Sequence, residues 1–155
     1  MTIAIVTDST SSLNPADAQK LGIHVVPESV VIGAKVYTEG VDVTADMITE
    51  ALRSFVPVST SRPSVETFEA VYRSLILSGA TEIVSVHLSS KISGTLESAQ
   101  LAASRVAVPV HVVDSRQVGL GTGYSAGRAA RAASAGKSVD QVVAAANNAG
   151  KVSTV

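Results

Sequence analysis

Leu88-Ser89-Ser90-Lys91-Ile92-Ser93-Gly94-Thr95 follows the apolar run Ile83-Val84-Ser85-Val86 and precedes Leu96-Glu97-Ser98-Ala99-Gln100-Leu101-Ala102-Ala103-Ser104-Arg105. The first run is short and rich in β-branched residues, as in a buried strand. The last has the length and apolar spacing of a helix. A loop of small hydroxyl residues therefore joins the C-terminal end of a strand to a helix N-terminus. Free backbone N–H groups and the positive end of the helix dipole converge on such a gap, which suits an anion.

The same alternation recurs outward from this stretch. Thr2 to Val6 reads as a buried strand and Thr7-Asp8-Ser9-Thr10-Ser11-Ser12 as a polar loop. Asn14-Pro15 opens a helix that Gly22 ends. His24 to Pro27 is a second strand, and Ser29–Ile32 with Lys35–Tyr37 around Gly33-Ala34 suggests a hairpin. Thr44 caps a helix running to Arg53, Val58 to Ser64 is a second hydroxyl-rich loop, and Ser64 caps a helix from Val65 to Leu77. Val110 to Val113 is a strand ending in Asp114-Ser115. Gly119 to Gly123 leads into an Ala-rich helix ending near Gly136, and Ser138 caps another from Val139 to Ala149. Strands alternating with helices predict an α/β fold, a mainly parallel, Rossmann-like sheet sandwiched by helices. Lys151 to Val155 reads either as the first strand of a following domain or as a frayed tail.

Composition narrows the function. The chain has 155 residues, 46% of them hydrophobic and 3% aromatic, so the core is aliphatic and base stacking is a poor binding mode. A net charge of −1 without blocks of like charge gives no footprint for nucleic acid or an anionic membrane. The absence of cysteine removes disulfides, zinc-thiolate sites and thiol nucleophiles, and with the lack of a leader sequence leads us to expect a cytoplasmic location. No apolar run reaches the roughly 20 residues of a membrane-spanning helix.

The hydroxyl clusters at 7–12, 59–64, 89–95 and 114–115 each follow a predicted strand or open a helix. A parallel sheet gathers its C-terminal strand ends on one edge, where ligands bind, so these clusters are expected to converge. Hydroxyls and amides there would receive an oxyanion. Phosphate usually recruits several cations, and only Lys91 and Arg62 stand nearby, so a single carboxylate fits better. Two alternatives remain. One is a hydrolase or transferase built on Ser93, with His87 and Asp114 as partners, although the G-x-S-x-G elbow is missing. The other is a phosphate or nucleotide site, for which Gly119-Leu120-Gly121-Thr122-Gly123 lacks the dinucleotide spacing. The acidic residues lack metal-ligand spacing, so no metal and no cofactor is expected.

Ile5-Val-Thr-Asp-Ser-Thr-Ser-Ser-Leu13, Thr60-Ser-Arg-Pro-Ser64, Leu88 to Thr95 with Ser98-Ala99, and Val113-Asp-Ser115 together resemble the successive signatures of the DegV family of bacterial fatty-acid-binding proteins. The likeness covers essentially the whole chain. It implies that residues 1–150 are the N-terminal α/β domain of a two-domain protein and that 151–155 begin the second. A long-chain fatty acid would lie between the domains with its tail in an apolar tunnel. A fatty acid kinase would phosphorylate it, leaving this protein a non-catalytic carrier. The resemblance gives Thr60 and Ser93 the carboxylate, with Ser61 and Gly94 beside them. Asp8, Ser9, Thr10, Arg62, Thr95, Asp114 and Ser115 would line or brace the head-group end. Arg62 replaces the family's usual Gln and either adds charge near the head group or points to solvent. Without a covering domain, the apolar face is expected to favour self-association.

Overall fold

The computed structural model describes residues 1–152. The main sheet comprises β1 (Ile3–Asp8), β2 (Ile23–Val26), β6 (Glu82–His87) and β7 (Val110–Asp114), all parallel, in the order β2-β1-β6-β7. A smaller antiparallel sheet of order β4-β3-β5 is made by β3 (Ser29–Ile32), β4 (Lys35–Thr38) and β5 (Val58–Ser61). The helices are α1 (Pro15–Leu21), α2 (Ala45–Arg53), α3 (Val65–Leu77), α4 (Thr95–Ala103), α5 (Leu120–Ser134) and α6 (Val139–Val152). The expected parallel sheet between two helical layers is what forms.

Period-two alternation assigns the strand residues to two cores. Ile5, Val84, Val86 and Val113 face Ala126, Ala129 and Ala130 of α5 and Val142 and Ala146 of α6, with Leu21 of α1 packed alongside. Val6 and Ile83 face Phe68, Tyr72 and Leu75 of α3 and Ala99 and Ala102 of α4. Phe68 and Tyr72 have no exposed surface, and each such side chain contributes about 2–3 kcal/mol of hydrophobic burial. Alanine on α5 and α6 lets those helices approach the sheet closely.

Local signals set the helix ends. Asn14 Oδ1 accepts the Asp17 N–H at 2.8 Å, Thr44 Oγ1 that of Met47 at 3.2 Å, and Ser64 Oγ that of Thr67 at 3.1 Å. Gly22 and Gly79 take φ of 66° and 100° at the stops of α1 and α3.

Several boundaries differ from the sequence reading. β1 continues through Thr7 and Asp8, because both pair with β2 and Thr7 also pairs with β6. Val58–Ser61 is the edge strand β5, not a loop. Its hydroxyl residues belong to a strand because β3 supplies the backbone partner, with Thr60 opposite Val30 and Ser61 opposite Ser29. Lys151 and Val152 close α6 instead of starting a strand, so the 150/151 boundary falls inside a helix, and residues 153–155 lie outside the described part.

Candidate functional site

β2 lies on one side of β1 and β6 on the other, with α1 on one face and α3 leading into β6 on the opposite face. The sheet therefore reverses its winding between β1 and β6. The loops after these strands part there, and ligands of open α/β sheets bind at such a switch point. The hydroxyl loops 9–12 and 88–94 flank it.

Beneath these loops runs a buried chain of hydrogen bonds. Asp8 Oδ2 meets His87 Nδ1 at 2.7 Å, His87 Nε2 meets Ser85 Oγ at 2.7 Å, and the Tyr72 hydroxyl donates to Ser85 Oγ at 2.8 Å. Asp8, His87, Ser85 and Tyr72 are fully buried. The chain thus starts at the Tyr72 hydroxyl, which donates to Ser85, and ends at the Asp8 carboxylate, which accepts from the His87 ring. The other carboxylate oxygen of Asp8 accepts the Thr10 N–H at 3.0 Å and the Thr10 hydroxyl. Burial pushes the Asp8 carboxyl up, but the hydrogen bond and charge attraction from His87, with the Thr10 hydrogen bonds, outweigh it and hold it below the ordinary range. Phe68 closes the chain edge-on over His87, with ring centroids 5.0 Å apart. Asp8 thus grips the Thr10 turn from below, which is a bracing role.

The loop between β6 and α4 presents the donors. Thr95 has no exposed surface, and its N–H donates to Ser93 Oγ at 3.2 Å. Its hydroxyl lies 2.9 Å from the same oxygen, and either hydroxyl can donate to the other. Gly94 is the N-cap of α4 and offers no side-chain cap. Among the described residues, the N–H groups of Gly94, Leu96 and Glu97 have no protein partner. These are the orphan donors of a helix start, beside the Ser93 hydroxyl.

Thr60 and Ser61 lie at the end of β5, both exposed, and among the described residues their hydroxyls have no protein partner. Their loop reaches that of Ser93 through the next residue. Arg62 Nη1 donates to the Gly94 carbonyl at 2.9 Å and pairs with Glu97 Oε2 at 3.2 Å. Arg62 thus stays at the site instead of extending into solvent.

The loop after β7 braces the other side. Asp114 Oδ2 accepts the Ser90 hydroxyl at 2.6 Å, and Oδ1 accepts the Arg116 N–H at 2.8 Å. Burial raises the Asp114 carboxyl, yet these bonds and the Arg116 charge bring it below its usual value. Ser115 is buried, 3.1 Å from Thr122 Oγ1, and accepts the Gln117 N–H. Ser89, Ser90, Lys91, Asp114 and Arg116 line a shallow cleft of about 440 Å³. Arg116 is a cation the sequence reading overlooked, but Asp114 faces the same cleft and offsets part of its charge.

At the far end, Ser9 Oγ accepts the Glu28 N–H at 2.9 Å and donates to Glu39. Glu28 is 8% exposed. Burial, then the Asp8 and Glu39 carboxylates, pushes its carboxyl up to about 7. Among the described residues, no group of three or more His, Asp and Glu side chains could hold a metal ion.

The Ser93–His87–Asp114 constellation does not assemble. His87 spends both ring nitrogens on Asp8 and Ser85, and Asp114 binds Ser90. The Asp8–His87–Ser85 order does mimic a hydrolytic triad, but Ser85 has no surface that a substrate could reach. Sequence reasoning missed Ser85 and Tyr72. The available signal was Ser85 and His87 alternating on one face of an apolar strand, which demands buried partners. The Gly-rich run is likewise no phosphate loop: Gly121 and Gly123 lie within α5. A methyl group on Gly123 would approach the Ser11 carbonyl to 2.5 Å, so this glycine admits close packing of α5 on the turn after β1.

These features define a class: a doubly wound α/β domain whose switch-point crevice is lined by hydroxyls and helix-start amides. Comparison with known proteins places it further. The family model described as the DegV family of uncharacterised proteins matches residues 2–154, and the chain belongs to that family. A DegV domain-containing protein of Streptomyces coelicolor is 43% identical over 144 residues, covering 93% of this chain and 51% of its own length. Another from Deinococcus radiodurans is 42% identical, with 92% and 51% covered. Among solved structures, a fatty-acid-binding DegV family protein from Thermus thermophilus aligns with a TM-score of 0.90 at 36% identity, covering 97% of this chain and 54% of that one. DegV, a fatty acid binding protein from Bacillus subtilis, aligns at 0.89 and 30% identity, with the same coverage. The chain thus spans about half the length of the relatives it matches.

Proposed function

We propose that this domain holds the carboxylate of a long-chain fatty acid in the switch-point crevice. The observation that carries the reading is the set of unpartnered Gly94, Leu96 and Glu97 amides at the start of α4, beside the Ser93 hydroxyl. Charge-assisted bonds to such donors are among the stronger ones. Thr60 and Ser61 supply the facing wall, and Asp8, Thr10, Thr95, Asp114 and Ser115 keep the loops in place. The fatty-acid binding of the Thermus and Bacillus relatives supports the same ligand.

Ile92, Val118, Leu120 and Tyr124 are exposed on the loops and helix start at this edge, with 73% of Leu120 accessible. The matched relatives are about twice as long, and the further part of such a protein would cover these residues together with the acyl tail, while an uncovered face would favour self-association. In the cytoplasm the bound acid would be presented to a fatty acid kinase. Its carboxylate oxygen would attack the γ-phosphorus of ATP, forming an acyl phosphate and releasing ADP, and the carrier itself would contribute no catalytic group.

Organic extracts of the purified protein, analysed by mass spectrometry, are expected to contain fatty acid that the Ser93→Ala variant lacks. Titration with decanoate should shift the Ser93, Gly94, Leu96 and Glu97 amide resonances. Extracts free of fatty acid, together with unshifted amides, would overturn the reading.

A further inference from the structure

Arg62 lies against the site but takes no part in it as described so far. A methyl group on Gly94 would fall 1.7 Å from Arg62 Nη1 and 2.7 Å from its Cζ, so the guanidinium covers the Gly94 Cα directly. Adding bond lengths, an oxyanion on the Gly94 N–H sits at most about 8 Å from Nη1. That is within the swing of a side chain that is 48% exposed. Nη1 holds the Gly94 carbonyl and Glu97, while Nε and Nη2 have no protein partner among the described residues. This free edge has the geometry of a carboxylate fork. Glu97, 69% exposed in the first turn of α4, places a competing carboxylate beside the same amides. An exposed ion pair contributes little, so its exchange costs little.

We propose that Arg62 is the charge-reading member of the site: it rests on Glu97, and an arriving carboxylate replaces Glu97 as its partner. The inference rests on the carboxylate reading of the crevice. It makes Arg62 and Glu97 an opposed pair that sets selectivity for ionised acids over neutral lipids of the same length.

The test titrates this chain with decanoate and, separately, with uncharged decanamide, following amide resonances. Arg62→Gln should weaken decanoate roughly 5- to 10-fold, the scale of a partly exposed bond to a charged group, and leave decanamide nearly unchanged. Glu97→Gln should tighten decanoate about 2- to 3-fold by freeing the guanidinium. Equal losses on both ligands in Arg62→Gln would make Arg62 a structural strap and overturn the proposal, as would an indifferent Glu97→Gln. Ser93→Ala separates the two levels. If it leaves decanoate affinity unchanged, the carboxylate reading itself fails. If it weakens decanoate while Arg62→Gln does not, only the role of Arg62 fails.

Discussion

Asp8 and His87 sit at the ends of adjacent parallel strands and share a 2.7 Å hydrogen bond with neither side chain exposed. The pair lies directly under the crevice, and its other ties run to Thr10 on one side and to Ser85 and Tyr72 on the other. Asp8→Asn offers one acceptor oxygen where the native carboxylate uses two, so its NH₂ must face either the Thr10 donors or the His87 ring, and the charge that attracts His87 is lost. We expect a loss of about 2–3 kcal/mol in urea unfolding. Weaker hydrogen-exchange protection at Thr10 should accompany it. An unchanged unfolding midpoint would refute the bracing role.

Glu28 should make the protein less stable as pH rises. Its folded carboxyl is raised to about 7, above the ordinary carboxylate value near 4.5. The folded state therefore binds the proton more tightly than the unfolded state. That contribution is complete below about pH 4.5 and is lost as pH climbs through 7. Glu28→Gln should raise stability by about 3 kcal/mol at pH 8 and change little at pH 4. Asp8 and Asp114 act in the opposite sense. Their lowered values add stability above the ordinary carboxylate range that disappears as pH falls below about 4.

Gly94→Ala should displace Arg62 without unfolding the domain. Gly94 has φ of −82°, open to any residue, and the clash is with the far end of a flexible side chain. The expected cost is about 0.5–1 kcal/mol, part of it the poorer cap that alanine provides. In an Arg62→Ala background the same substitution should cost less. Equal costs in the two backgrounds, read by thermal unfolding, would show that Arg62 does not pack on Gly94 in solution.

Thr60→Ala and Ser93→Ala are each expected to weaken decanoate binding by about 1–3 kcal/mol, Thr60→Ala at unchanged stability and Ser93→Ala with a loss of about 1 kcal/mol because the buried Thr95 N–H and hydroxyl lose their partner. Thr60 is exposed and Ser93 half-buried, so neither removal opens a cavity. Calorimetric titration that shows full affinity in the double variant would move the head group elsewhere.

Much of the fold was legible because its signals are local. Asn14-Pro15, Thr44 and Ser64 cap the helices predicted from them, Gly22 and Gly79 stop two of them, and Gly33-Ala34 turns the hairpin. β5 was hidden because Val58-Ser59-Thr60-Ser61 becomes a strand only through β3. The partnership of Asp8 with His87 was hidden for a related reason: the residues lie 79 positions apart, and nothing near either one names the other. The placement of Arg62 on Gly94 depends on two sheets meeting, which no spacing encodes. Ser93, Gly94 and Thr95 could be singled out because strand, loop and helix start are contiguous there.

The distance along the chain between β1 and β6 also bears on the order of events in folding. The β3–β4 hairpin closes over a two-residue turn and can form within microseconds. The switch point exists only once residues near 8 have found those near 87, a long loop closure that slows folding. The crevice is therefore among the last features to appear and the first to vanish when β1 and β6 part. The proposed fatty acid would bind the finished fold alone, so its occupancy would report completion of folding and in turn stabilise the strand pairing that created the crevice.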